Sequence, residues 1–172
     1  MPTPNPSEPG RLSQALLDAF STFFSSESRL YRLQAEGEAA GLLVESWSLR
    51  EGLSQPWELQ ISTLSTSARL DIHALLGQKA SLLTKLADGR SEHPRSGIVT
   101  AASALAADGG FARYQLTVQP WLALLAYGAR SAVWQEKSLP EIVDSVFGAY
   151  SQHAAWAWSP CAQQHLAQSH QG

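Results

Sequence analysis

The chain has 172 residues, 44% of them apolar, with six tryptophans, one cysteine and a net charge of −3. This is the size of one domain with short appendages, with enough aromatic bulk for a real core. Acids and bases are interspersed without a basic stripe, which argues against nucleic acid. A single cysteine excludes an intrachain disulfide framework, and no apolar run reaches the ~20 residues of a membrane span, so stable membrane insertion is not expected.

Residues 1–10 carry four prolines and no basic run leading into an apolar stretch. They make a flexible or polyproline-like lead, not a Sec signal. Residues 11–24 place Leu12, Leu16, Leu17, Phe20, Phe23 and Phe24 on one stripe, which predicts an amphipathic helix docked on the fold. Its polar face holds only Arg11 and Asp18, too few charges for a membrane-surface anchor. Residues 28–34 follow as a short strand and residues 35–41 as a small-residue turn.

Residues 42–61 predict a hairpin. In its second half Trp57, Leu59 and Ile61 alternate with Glu58, Gln60 and Ser62, one apolar face against one wet face. The first half alternates less cleanly, with Leu43, Glu45, Trp47 and Leu49 opposed to Val44, Ser46 and Ser48. Between them lies the corner Arg50, Glu51, Gly52, Leu53, Ser54, Gln55 and Pro56. There Gly52 is expected to supply a positive φ and Pro56 to interrupt the ladder. A lone hairpin is marginal in water, so the remaining chain must build a sheet around it.

Residues 71–76 predict a short helical turn closed by Gly77 in the left-handed conformation. Residues 79–87 alternate as a strand, Asp88 and Gly89 make a turn, and polar residues run to Arg95. From Gly97 to Ala107 the chain is a second apolar strand with a bulge among its alanines. Asp108, Gly109 and Gly110 turn it into the cleanest strand, residues 111–119. There Ala112, Tyr114, Leu116 and Val118 oppose Arg113, Gln115, Thr117 and Gln119. The meander predicts a mainly β fold with peripheral helices (α+β), an antiparallel β-barrel. Residues 120–127 switch to a helical period, with Pro120 near the first helical position and Trp121 behind it. Residues 131–137 resemble one more strand. Ser138, Pro140 and Glu141 form a capping box for a helix carrying Ile142, Val143, Val146, Phe147 and Tyr150. Residues 151–172 lack the turn chemistry that ends a domain.

The usual catalytic signatures are missing: no phosphate loop, nucleophile elbow, zinc-protease helix or paired-cysteine motif. His73, His93, His153, His165 and His170 lack metal-ligand spacing, and nothing flanking Cys161 favours a thiolate. Asp71 and Asp88 are turn residues and Asp144 lies on a helix surface. The stretch Trp134, Gln135, Glu136 and Lys137 is best taken as a charged strand end. No catalytic, cofactor or metal residue is assigned.

Several segments taken together resemble one family. They are Val44–Glu45–Ser46–Trp47 with Arg50, Glu51, Gly52 and Pro56; Leu75–Leu76–Gly77; Leu86–Ala87–Asp88–Gly89; and Gly97–Ile98–Val99–Thr100. Later come Asp108–Gly109–Gly110 with Tyr114; Pro120–Trp121–Leu122; and Gln135 through Phe147, including Ser138, Pro140 and Glu141. In this order they are similar to the start of VgrG proteins, the spikes of the bacterial type VI secretion system. The resemblance covers residues 30–150.

It implies an antiparallel β-barrel like the contractile phage tail hub, a homotrimer seated on the Hcp tube, and a mechanical, non-enzymatic role. It also implies assembly in the cytoplasm and secretion by the type VI machinery. A PAAR tip and effectors would be reached only through regions beyond the resemblance. The implied division is residues 1–28 as lead and helix, residues 29–150 as hub-like barrel, and residues 151–172 as a linker cut short before a second hub region. Two other readings are a free-standing small-ligand-binding barrel, which requires an apolar interior pocket, and a non-functional truncated remnant.

Overall fold

A computed structural model describes residues 30–108, 110–129 and 131–169. The helix expected over residues 11–24 lies outside the described residues. Strands β1 (Tyr31–Ala35), β2 (Leu43–Gly52), β3 (Gln55–Ser65), β4 (Lys79–Lys85), β5 (Glu92–Asp108) and β6 (Phe111–Gln119) form one sheet in the order β1-β4-β5-β6-β3-β2. Every pairing is antiparallel. Short helix α1 (Ile72–Leu75) lies between β3 and β4, and a 3-10 turn spans Gly37–Ala39. After β6 come a 3-10 helix at Trp121–Tyr127 and helices α2 (Leu139–Gly148) and α3 (Pro160–Ser169).

The two-residue period decides which face is buried. On β6, Ala112, Tyr114, Leu116 and Val118 are buried, and they pair with Ser65, Thr63, Ile61 and Leu59 of β3. Leu33 of β1 faces Leu82 of β4, and both enter the same core, beside Val99 of β5 and Leu75 of α1. Burying each large aliphatic side chain contributes about 1.5–3 kcal/mol. The sheet curls until its two edges approach. β1 and β2 share no ladder, but the Tyr31 ring meets Trp47 edge-to-face with centroids 5.3 Å apart.

The untidy alternation of β2 has a simple cause. Its register against β3 shifts between Val44 and Ser46, so Glu45 is an extra residue. The bulge puts Val44, paired with Thr63, on the same face as Trp47 and Leu49, paired with Ile61 and Leu59. Val44 is therefore a core residue, and Glu45 turns outward to Arg113 at 3.0 Å.

Other expectations need correcting. The positive φ of the hairpin corner belongs to Ser54 (59°) and not to Gly52. Pro56 lies inside β3, where the register slips between Arg50 and Gly52, a place that tolerates a residue without an N–H. β5 starts at Glu92, because the polar residues before Gly97 pair with β4. Pro120 is the N-cap residue of a 3-10 helix, one position before the expected first turn. Residues 131–137 are irregular, since no strand adjoins them; Val133 is 88% exposed and Glu136 has a φ of 54°. Within residues 151–169 the chain forms α3.

Candidate assembly surface

The corner residues and the glycine of β5 converge at one end of the sheet. Glu51 takes an ion pair from Arg95 at 2.6 Å, and the Arg95 guanidinium lies 5.7 Å from the Trp57 ring centre. Arg50 pairs with Glu58 at 3.3 Å. The Trp57 ring packs over Gly97, where a Cβ would collide with the ring and with the Gln119 carbonyl. Pro56, Gln119, Ala123 and Tyr127 line a shallow cavity of about 270 Å³ beside it. The charges of Arg50 and Glu51 are thus answered by neighbouring strands. Exposed pairs of this kind contribute ~0–1 kcal/mol each and carry no catalytic geometry.

Gly77 adopts φ 78° and closes α1, with its N–H donating to the Val99 carbonyl at 2.9 Å. Tyr114 works at a different place. Its buried hydroxyl donates to the Ser67 carbonyl at 3.0 Å and accepts from the Leu70 N–H at 3.2 Å, which pins residues 67–70 over the core. Asp71 caps α1 through the His73 N–H, and Asp88 accepts from the Arg90 and Ser91 N–H groups, so both are turn residues. The Ser91 hydroxyl and backbone N–H hold the Asp88 carboxyl below its ordinary pKa, with the Arg90 N–H adding to them.

Residues 120–129 and 131–158 form a collar beyond the sheet. Ser138, Pro140 and Glu141 make the capping box of α2, and Glu141 accepts from both the Ser138 N–H and its hydroxyl at 2.8 Å. Those two bonds, backbone first, and then the Lys137 charge lower the Glu141 pKa. α2 buries none of its residues despite its apolar stripe. A cleft of about 390 Å³ runs between Leu125, Trp134, Val146 and Tyr150. Trp134 and Val146 at the cleft are exposed, as are Leu122, Tyr127, Val133, Leu139 and Trp156 elsewhere in the collar.

The expected motif residues therefore fall into four places: the hairpin end, the end of α1 at Gly77, the Tyr114 loop and the collar. Sequence reasoning left out what joins the collar. Trp121 donates its indole N–H to the Ala155 carbonyl at 3.1 Å, while Trp156 and Trp158 both donate to Asp144. Only the Trp–Ala–Trp spacing hinted at this. Among the described residues no three His, Cys, Asp or Glu side chains are placed to hold a metal ion, and no helix is long and apolar enough to cross a membrane.

Comparison with known proteins agrees with this architecture. The model of the phage tail baseplate hub (GPD) family matches residues 50–169. The type VI secretion system spike protein VgrG1b of Pseudomonas aeruginosa is 34% identical over 123 residues, which cover 72% of this chain and 16% of that protein. VgrG1c of the same organism is 32% identical over 128 residues, covering 74% of this chain and 18% of that protein. The chain spans under a fifth of the length of these two relatives, whose matched shares are 16% and 18%. Among solved structures, the E. coli c3393 protein is described as a type VI secretion system component with structural similarity to the T4 bacteriophage tail proteins gp27 and gp5. It has a TM-score of 0.62 at 24% identity, covering 72% of this chain and 33% of that one, a likeness of fold.

Proposed function

Because this chain belongs to the phage tail baseplate hub (GPD) family, we propose that it is a structural component of a type VI secretion spike. On this reading residues 29–150 form the hub unit, three copies close into a ring, and the ring docks on the Hcp tube. The role is mechanical and not enzymatic, and the protein leaves the cell with the machinery.

One observation carries the reading: a self-sufficient core stands beside an uncovered apolar collar. Leu59, Ile61, Leu116 and Val118 are fully buried, so the curled sheet is filled by its own side chains. A filled interior disfavours the small-ligand barrel, which needs an interior pocket. The collar exposes Leu122, Tyr127, Val133, Trp134 and Leu139, which suits a subunit contact. A ring of three requires a heterologous contact, one face of the chain meeting a different face of its neighbour.

The test is co-expression with an Hcp protein followed by size-exclusion chromatography. Co-elution at the mass of a hub trimer plus Hcp supports the proposal. Separate elution of a monomer and free Hcp at every concentration would remove the docking claim.

A further inference from the structure

The collar contains a built polar device whose parts come from three separate segments. A single oxygen of Asp144, Oδ1, accepts the indole N–H of Trp156 at 2.8 Å and that of Trp158 at 2.9 Å. Trp121, two residues past the end of β6, donates to the Ala155 carbonyl at 3.1 Å. The rings interlock as well. Trp121 meets Phe147 edge-on at 4.8 Å, Phe147 meets Trp156 edge-on at 5.4 Å, and Trp121 lies 6.3 Å from Trp156. An indole carries one donor and no acceptor, so a packed tryptophan settles where its N–H is answered. Here all three are answered.

The position of these groups matters. Trp121 is tied through Pro120 to β6, a strand whose Leu116 and Val118 lie in the core. Asp144 and Phe147 belong to α2, a ten-residue helix with no fully buried residue, too short to persist alone in water. Trp158 immediately precedes Ser159, whose hydroxyl accepts from the Ala162 N–H at 3.1 Å in the first turn of α3. The path from the sheet to α3 therefore runs through Trp121, Ala155, Trp156, Asp144 and Trp158.

We propose that Asp144 is the latch of a conformational clasp that ties α2 and α3 to the end of the sheet, so that breaking this carboxylate's contacts releases residues 149–160 as a loose strap. A carboxylate suits the task because it accepts two charge-assisted hydrogen bonds at one point, and each is stronger than a neutral bond. The clasp is a property of one chain and does not depend on trimer formation or on Hcp.

The experiment measures hydrogen exchange of the indole protons by NMR, together with limited proteolysis, on the intact chain. In the unaltered protein the Trp156 and Trp158 indole protons exchange at least about tenfold more slowly than a free indole, the protection expected of a charge-assisted hydrogen bond. Asp144→Ala abolishes that protection and raises cleavage within residues 149–160 about tenfold, while backbone protection of β3 and β6 stays unchanged. Asp144→Asn keeps an acceptor and falls between the two. Should Asp144→Ala fail to fold, Trp158→Phe keeps an aromatic ring, removes the N–H donor and must still raise cleavage. Indole protons of Trp156 and Trp158 exchanging at the free rate in the unaltered protein would overturn the proposal. So would unchanged cleavage in both Asp144→Ala and Trp158→Phe.

Discussion

The sheet and the collar hold their aromatic residues in opposite ways. In the sheet, Tyr114 is 2% exposed and its hydroxyl reaches two backbone groups, while the Trp57 ring abuts Gly97. In the collar, Trp121, Phe147 and Trp156 pack mainly on one another, and α2 buries none of its residues. The sheet draws its stability from desolvated aliphatic surface. The collar is held by directional hydrogen bonds and ring edges, with the stripe of α2 half-covered and Val146 exposed. A region that leaves apolar area uncovered is suited to being finished by a neighbour.

That contrast can be broken at its strongest point first. Leu116 is fully buried between Ile61 and Ala102, so Leu116→Ala should cost about 2–5 kcal/mol and lower the midpoint of one cooperative transition. Chemical denaturation checks this; a loss confined to the collar would reverse the assignment of the core. Next comes Gly97. Any Cβ there meets the Gln119 backbone carbonyl as well as the Trp57 ring, and the backbone cannot yield as a flexible side chain does. Gly97→Ala should therefore cost about 1–3 kcal/mol, read as a lowered thermal midpoint. Tyr114→Phe leaves the Leu70 N–H and the Ser67 carbonyl without their partner. It should cost about 1–2 kcal/mol and speed amide exchange at Leu70, with α2 unaffected.

The smallest expected effect lies in the collar. Glu141 has its pKa lowered in the folded chain, chiefly by the Ser138 N–H and hydroxyl. A lowered folded pKa means that its contribution is present above the unfolded carboxylate value and is lost as pH falls through the folded one. On acidification the first turn of α2 should loosen before the sheet responds, and Glu141→Gln should flatten that pH dependence. NMR titration of the α2 amides reads both. Simultaneous loss of sheet and helix would erase the distinction between the regions.

How legible each region is in the sequence follows the same line. β3 and β6 alternate cleanly because one face is desolvated and the other is wet, so the pattern survives in the residues themselves. β2 was blurred by the extra residue Glu45, which a period of two cannot reveal without its partner strand. Residues 131–137 carried an alternation with no neighbour to bond to, and Val133 remained in solvent. The hairpin corner misled in a different way. Glycine is the ordinary owner of a positive φ, yet Ser54 takes it here. Asp144 was illegible as a latch, since an aspartate on a helix surface is common and its donors come 12 and 14 residues later. The order of turns and strands, by contrast, was enough for the family resemblance, because ordered spacing outlasts the identity of single residues.

The central claim is that the uncovered collar is finished by further copies of the chain. Sedimentation equilibrium over a wide concentration range tests it most directly, comparing the unaltered protein with a variant carrying Val146→Glu, a charge at an exposed position of α2 outside the buried core. The account predicts a reversible approach to three chain masses, abolished by the substitution. A single chain mass at every concentration for the unaltered protein would contradict it.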